Sequence, residues 1–360
     1  MAIAEALIVE GFEVVIGYGE AGDVDPKLLV QRGLKIHCVP MNRGGTNPLK
    51  ELRTLYSLWR FFREQRPDIV HLVTIKPYLY GGVIARLTRV PRVVSALSGL
   101  GSLFVHNNLW YRFLRFLLYP IYRLALNHPN QRVIVQNKDD AKVLLRWGVL
   151  NSKKIRLLKG SGIKLEEFVQ LDEPDGIPVV CFVGRLLRDK GVYDFVSAAR
   201  LLKKRSVQAR FYLVGDLDLK NPTGLNIEDL NNLKKEGIVE VLGYQKDIIR
   251  VYAQSHIVCL PSYREGLPKA LIEASAASRA IVTTDVPGCR DAIIPNKTGL
   301  LVPVKDPQKL AGALQWLIEN PQKRVAMGKA GRELAEKEFR IEKIVREHLD
   351  IYDELLNKIK

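Results

Sequence analysis

Short apolar runs alternate with longer amphipathic stretches along almost the whole chain, the pattern of parallel β-strands joined by helices. In the first half the strand runs are Glu13–Tyr18, Leu34–Val39, Asp68–Val73, Arg92–Ala96 and Arg132–Gln136. Helical periodicity falls near 46–65, 77–89, 108–126 and 138–146, and Lys154–Ile163 reads as a crossing strand with a Gly-rich turn. The polar, turn-rich Leu171–Pro178 (LDEPDGIP) reads as an interdomain linker. A second series of strands follows: Val179–Val183, Ala209–Val214, Val239–Leu242, Ile257–Leu260, Ala280–Thr283 and Gly299–Val302. Its helices lie near 190–204, 246–254, 267–277 and 306–319, and two more occupy 321–337 and 340–358. At 360 residues the chain is too long for one small core. The pattern predicts two doubly wound, Rossmann-like α/β domains, 1–170 and 171–338, with a last helix in 339–360 that returns to the first.

The opening departs from this plan. Ala2–Val9 reads as a helix, Gly11 as its end and Glu13–Tyr18 as a strand. A doubly wound domain opens instead with a strand and a Gly-rich turn before this helix. The expectation is an N-terminal domain without its first strand, which would leave two neighbouring strand edges open. A wrongly chosen start and a shortened domain both account for it.

Composition narrows the class. Cys38, Cys181, Cys259 and Cys289 are scattered without paired spacing, which points to a reducing cytoplasm rather than a zinc or disulfide framework. No signal peptide and no run of 18 or more apolar residues is found. The net charge of +16 is uneven: residues 1–170 carry 25 Lys and Arg against 13 Asp and Glu. Such a half suggests an anionic partner, whether nucleic acid, an anionic membrane surface or a phosphorylated acceptor. A merely solvated basic surface also fits.

Candidate chemistry sits in the second half. In Arg264–Glu273 (REGLPKALIE) two glutamates, Glu265 and Glu273, flank a Gly-Leu-Pro turn that opens a helix. Gly266 allows close backbone approach and Pro268 suits a first helical turn. N–H groups there can hold an anion such as a diphosphate, and Glu273, about two turns on, can take ribose hydroxyls. Val179–Val183 runs into Gly184-Arg185, with Lys190-Gly191 opening the next helix. A guanidinium and an ammonium beside one helix N-terminus make a diphosphate site that stabilises leaving-group charge. Surface carboxylates at a helix start and a solvated Arg/Lys turn are the plainer alternatives.

GRLLRDKG (184–191) followed about 75 residues later by the two glutamates resembles the retaining GT-B glycosyltransferases of family four, glycosyltransferase group 1. FYLVGD (211–216), VLGYQKDI (241–248) and HIVCLPSYREGLPKALIEA (256–274) fall in that family's order. In the first half HLVTIKPYLYGGVIAR (71–86), VVSALSGLG (93–101) and RVIVQNKDD (132–140) look like its bacterial surface-polysaccharide branch. The resemblance implies two Rossmann-like domains facing a cleft, with an N-terminal acceptor domain and a C-terminal donor domain. It implies that Arg185 and Lys190 contact the diphosphate and that Glu265 faces the donor sugar, these three being the catalytic candidates. Gly184 and the Gly266–Leu267–Pro268 backbone would line the donor, Glu273 would hold the ribose, and Leu242, Gly243 and Tyr244 would lie near the base. Arg and Lys can stabilise an anionic leaving group without a metal, so neither metal nor cofactor is expected. On the acceptor side the candidates are Ser98, Gly99 and Lys76. Many members carry a histidine where Leu97, Ser98 and Gly99 stand here. His71 and His256 read as structural histidines.

The implied activity is retaining, metal-independent transfer of a sugar, of N-acetylhexosamine type, from a UDP-sugar to a lipid-linked or saccharide acceptor. Surface polysaccharide or lipopolysaccharide assembly at the inner face of the cytoplasmic membrane is the implied setting. A nucleotide-sugar 2-epimerase would share the donor site but needs a carboxylate pair that the first half does not show. A non-catalytic remnant fits the odd opening. A nucleic-acid binder is suggested by charge alone, without a binding motif, and is not expected. Asn108–Leu126 combines aromatic, leucine and arginine positions: an interfacial helix, or an ordinary helix whose apolar face is core.

Overall fold

The computed structural model describes residues 2–19, 26–41, 47–104, 108–168, 170, 172–219 and 221–357. Thr46, Leu171 and Lys358, each at the end of a segment read from sequence, lie outside them. The first half contains α1 (Ala2–Val9), β1 (Val15–Gly19), α2 (Pro26–Gln31), β2 (Lys35–Val39), α3 (Pro48–Gln65), β3 (Ile69–Val73), α4 (Gly82–Leu87), β4 (Arg92–Leu97), α5 (Leu109–Leu126), β5 (Gln131–Val135), α6 (Lys138–Trp147) and β6 (Ile155–Leu157). Then come β7 (Val179–Val183), α7 (Val192–Lys204), β8 (Arg210–Val214), α8 (Ile227–Glu236), β9 (Glu240–Gly243), α9 (Ile248–Ala253), β10 (Ile257–Leu260) and α10 (Lys269–Ala276). The chain ends with β11 (Ala280–Thr284), β12 (Gly299–Val302), α11 (Pro307–Glu319), α12 (Pro321–Glu338) and α13 (Ile341–Leu356).

The chain forms two compact units, one of Met1–Leu158 with Ile344–Lys360 and one of Lys159–Lys343. Residues 159–178 belong to the second unit for a packing reason. Ile163, Leu165 and Phe168 are buried in its core. Arg279, fully buried, donates to the Asp172 carbonyl at 2.8 Å, and Arg324 grips Glu173 with two nitrogens at 2.8–3.1 Å. A segment that reads as a linker from its turn residues is thus tied down by two buried guanidiniums.

In the first unit, β3-β4-β5-β6 form a parallel sheet covered on both faces, as parallel sheets require. Side chains alternate between the faces. Val70, Leu72, Val93, Leu97, Val133 and Val135 join the core under α3, α4 and α5, while Val94 and Ile134 pack with Ile351, Tyr352 and Leu355 of α13. Glu354 of α13 takes Arg132 at 2.6 Å and Arg156 at 2.5 Å, which pins the last helix to β5 and β6. β1 and β2 pair only with each other, in a separate two-stranded parallel sheet. Among the described residues nothing pairs with the second edge of β1 or of β3.

The second unit is one six-stranded parallel sheet of order β12-β11-β10-β7-β8-β9. Its first strand, β7, lies centrally; the chain runs outward through β8 and β9, then returns to place β10 on the other flank. This reversal between β7 and β10 makes a switch point, where the loops leaving two adjacent strands diverge and open a crevice at their carboxyl ends.

Candidate functional site

Three segments of the second unit converge at the carboxyl ends of β7 and β10. Two glycines permit it. A side chain on Gly191 (φ +75°) would put its Cβ 2.1 Å from the Pro261 carbonyl oxygen, so the turn before α7 abuts the end of β10. On Gly288 (φ +80°) a Cβ would meet the Gly266 and Glu265 carbonyls at 2.4 and 2.6 Å, so the loop after β11 closes from the other side. Backbone hydrogen bonds join the segments: Tyr263 N–H to the Asp189 carbonyl at 2.9 Å and Glu265 N–H to the Pro287 carbonyl at 3.2 Å.

This convergence brings Lys190 onto Glu265. The ammonium and carboxylate form a hydrogen-bonded ion pair, with side-chain exposures of 22% and 12%. The Ser262 hydroxyl donates to the same carboxylate oxygen at 2.7 Å, and the Thr284 hydroxyl holds the Ser262 carbonyl. Beneath lies the Cys289 thiol, pushed up to about 12 by burial and by the nearby Glu265 charge, so it stays neutral and takes no part as a thiolate. An ammonium has three donors, so Lys190 can keep Glu265 and still meet an incoming anion.

Arg185, at the end of β7, is not part of that pair. Its guanidinium binds Asp218 at 2.7 Å and is 55% exposed. The Gly266–Pro268 turn leads into α10 with Pro268 at the N-cap rather than inside the first turn, and no side chain caps the helix. Uncapped N–H groups at a helix start favour an anion. Leu267 is buried.

Glu273 sits on α10 and is only 8% exposed. The Tyr252 hydroxyl donates to its carboxylate at 3.1 Å and Lys269 pairs with it at 3.2 Å. Burial and this carboxylate push the Tyr252 hydroxyl far above the usual phenol range. Glu273 is therefore a fixed, nearly buried carboxylate rather than an open one. Leu242 and Gly243 line a cavity of about 330 Å³ at the ends of β8 and β9, together with Gly215, Asp216, Leu217 and Lys234. That volume lies at the small end of ligand pockets. Tyr244, next in the chain, is exposed.

The acceptor-side candidates occupy one edge of the first unit's sheet. Ser98 is exposed immediately after β4, Gly99 has a φ of +124°, and Lys76 follows the neighbouring strand β3. Lys76 is held by Glu51 of α3 at 2.6 Å. Glu51 also engages Tyr80, whose hydroxyl is pushed up to about 12 by burial and by that carboxylate. The two histidines have structural partners. His256 Nδ1 accepts from the Val179 N–H at 3.0 Å, and His71 Nδ1 meets the Tyr352 hydroxyl at 2.6 Å. Burial drives His71 down to about 3, so it is neutral.

Ser262, Asp218, Tyr252 and Lys269 did not emerge from the sequence motifs. Only Lys269 carried a local signal, four residues before Glu273 on one helix face. Among the described residues no group of three or more His, Cys, Asp or Glu could hold a metal ion, and no helix is long and apolar enough to cross a membrane.

Residues 163–334 match the family model for glycosyl transferases group 1, and residues 1–158 match that for a glycosyl transferase 4-like domain. The chain belongs to the group 1 glycosyltransferases. It is a retaining glycosyltransferase of the GT-B fold with two parallel-sheet Rossmann-like domains, in a family that is generally metal-independent. It is 28% identical, over 91% of its length and 88% of the relative's, to the N,N'-diacetylbacillosaminyl-diphospho-undecaprenol alpha-1,3-N-acetylgalactosaminyltransferase of Campylobacter jejuni subsp. jejuni serotype O:2. It is 25% identical, over 98% and 92%, to the UDP-Gal:alpha-D-GlcNAc-diphosphoundecaprenol alpha-1,3-galactosyltransferase of Escherichia coli. The fold matches that of sucrose-phosphate synthase from Thermosynechococcus elongatus with a TM-score of 0.81 at 22% identity, covering 98% and 92% of the two chains.

Proposed function

We propose that this glycosyltransferase moves an N-acetylhexosamine-type sugar from a UDP-sugar to a lipid-linked diphosphate saccharide, with retention, in surface polysaccharide or lipopolysaccharide assembly. The single observation that carries the donor half is the Lys190–Glu265–Ser262 constellation at the switch point. The acceptor class is drawn from the diphospho-undecaprenol substrates for which the two relatives are named. The reaction then takes place at the cytoplasmic face of the membrane, where a polyprenyl-linked acceptor presents its sugar.

In this reading the unit Lys159–Lys343, rather than residues 171–338, binds the donor, and the unit Met1–Leu158 with Ile344–Lys360, rather than residues 1–170 with 339–360, binds the acceptor. Lys190 and Arg185 neutralise the diphosphate, Arg185 exchanging Asp218 for phosphate. Gly184, Gly266, Leu267, Pro268 and the uncapped start of α10 frame phosphate and sugar. Glu265 orients sugar hydroxyls, Glu273 takes the ribose, and Leu242, Gly243 and Tyr244 receive the base beside the cavity. Ser98, Gly99 and Lys76 face the acceptor. The anomeric carbon loses its bond to the β-phosphate oxygen and gains one to the acceptor oxygen on the same face. The acceptor proton passes to the departing phosphate. Preorganised cations on a developing anion are worth about 3 kcal/mol each.

We also infer that the two sheets of the first unit are parts of one sheet in which, among the described residues, no strand lies between β1 and β3. Their two open edges support this. The same edges favour a second reading, a remnant that binds donor without turning it over. Incubation with a UDP-N-acetylhexosamine and a short-chain polyprenyl-diphosphate saccharide, in the presence of a chelator, separates them. Product with retained anomeric configuration supports the transferase; donor binding without product supports the remnant. Epimerised UDP-sugar formed without acceptor sinks both.

A further inference from the structure

On the donor reading above, we propose that Asp218 sets the preference of the site between donor and product, holding the spent nucleoside diphosphate weakly relative to the nucleotide sugar. Both cations assigned to the diphosphate already carry a carboxylate: Lys190 that of Glu265, and Arg185 that of Asp218 at 2.7 Å. The two pairs together bring no net charge. Glu265 has a task at the donor sugar. Asp218 has none in the transfer itself, yet it occupies one of the two cations that face the leaving group.

Asp218 is built into the site rather than resting on it. Residues 216–218 and 221–225 clip onto the segment that carries both cations. The Leu186 N–H donates to the Asp216 carbonyl at 3.0 Å, the Leu225 N–H to the Leu186 carbonyl at 2.9 Å and the Arg188 N–H to the Thr223 carbonyl at 2.7 Å. Leu187 and Gly224 form an antiparallel bridge, and Leu186, Leu187 and Leu225 are buried. The Asp218 carbonyl accepts from the Asn221 N–H at 2.9 Å, and a Cβ on Gly224 would lie 2.3 Å from that same carbonyl oxygen. The backbone of Asp218 is therefore fixed. A phosphate that takes Arg185 leaves the carboxylate unpaired and close by, because only its side chain can turn. Asp216 and Leu217 line the cavity beside which the base is placed, so one short stretch of chain joins that cavity to Arg185.

Donor and product differ at the phosphate these cations meet. In the nucleotide sugar the β-phosphate is esterified on both sides. In the product it has an oxygen free to ionise a second time, at about pH 6. In the proposed transfer the acceptor proton goes to that oxygen as the bond to the anomeric carbon breaks. The extra charge thus appears only when the proton passes on to water, after transfer is complete. A fixed carboxylate beside it disfavours the ionised form, as any like charge does. Asp218 thereby weakens the hold on the product more than on the donor or the transition state, and product release sets the turnover of many enzymes.

The test is titration calorimetry of the full chain with UDP and with UDP-N-acetylglucosamine, a chelator being present, at about pH 8, where the product phosphate is ionised. Asp218→Asn keeps the shape and an oxygen for Arg185 but removes the charge. It should tighten UDP by about tenfold and UDP-N-acetylglucosamine by less than about threefold. Asp218→Glu, which keeps the charge, should hold the ratio of the two affinities within about threefold of wild type. Under turnover, the inhibition constant of UDP should fall in Asp218→Asn by the same factor as its dissociation constant. UDP affinity that is unchanged or weakened in Asp218→Asn overturns the inference. So does equal tightening of both ligands, because the carboxylate would then repel nucleotides without choosing between them. Either result with both nucleotides bound by the wild type leaves the donor site standing and removes the role of Asp218 alone. Absence of binding in the wild type and in both variants removes the donor site and this role with it.

Discussion

Replacing Lys190 by alanine removes the cation of the Lys190–Glu265 pair and leaves the carboxylate held by Ser262 alone. Two unit charges about 3 Å apart attract by about 5 kcal/mol at an effective dielectric of about 20. Desolvation of both groups offsets most of that, and a net coupling of about 1–2 kcal/mol is expected. The functional cost is larger. A preorganised cation on the leaving diphosphate is worth about 3 kcal/mol in the transition state, or about 10²-fold in kcat. Donor KM should change much less, because the start of α10 and Arg185 still bind the ground-state diphosphate. Steady-state kinetics on a saturating acceptor give kcat and KM separately. Thermal unfolding of Lys190→Ala, Glu265→Ala and the double variant gives the coupling by a double-mutant cycle. A kcat within fivefold of wild type refutes the assignment of Lys190 to the leaving group. A coupling near zero refutes the ion pair as an organising contact.

Three further outcomes follow from particular contacts. Glu273→Gln keeps shape but loses the charge beside Tyr252, and should weaken UDP binding by at least tenfold in calorimetry with little change in melting temperature. Gly191→Ala puts a Cβ against the Pro261 carbonyl at φ +75° and should cost about 3 kcal/mol in denaturant unfolding, moving Lys190 off Glu265. Glu354, gripped by Arg132 and Arg156, is lowered from 4.5 to about 2, so its contribution is full above about pH 4.5 and is lost as pH falls towards 2. Wild-type melting temperature should therefore drop more steeply across that window than that of Glu354→Gln.

The elements read most cleanly from sequence are short apolar strands of the second unit. β7, β10 and β12 have the bounds that their apolar runs predict, because Gly and Pro punctuate them and nothing polar interrupts them. α8 escaped, since Ile227–Glu236 has only three apolar residues, Ile227, Leu230 and Leu233, and buries only Leu233, although Asn226 and Asp229 form a visible capping box. The unit boundary was not legible either. Asp172 and Glu173 look like linker residues until Arg279 and Arg324, more than 100 positions away, are seen to hold them. At the site, residue types and spacing disclosed the charges but not their partners. Nothing local to Lys190 shows that its ammonium rests on Glu265, nor anything near Glu273 that Tyr252 and burial close around it. Those contacts depend on where the switch point sets the ends of β7 and β10.

The proposed uridine diphosphate site of the second unit is built on Lys190, Glu265 and Glu273. Titration calorimetry of the full chain with UDP-, GDP- and ADP-sugars, without added metal and with a chelator present, tests it most directly. One-to-one binding of UDP-N-acetylhexosamine is expected, at least tenfold tighter than that of the GDP- and ADP-sugars, and at least tenfold weakened by Glu273→Gln. Absence of UDP-sugar binding, or binding that Glu273→Gln leaves unchanged, would contradict it.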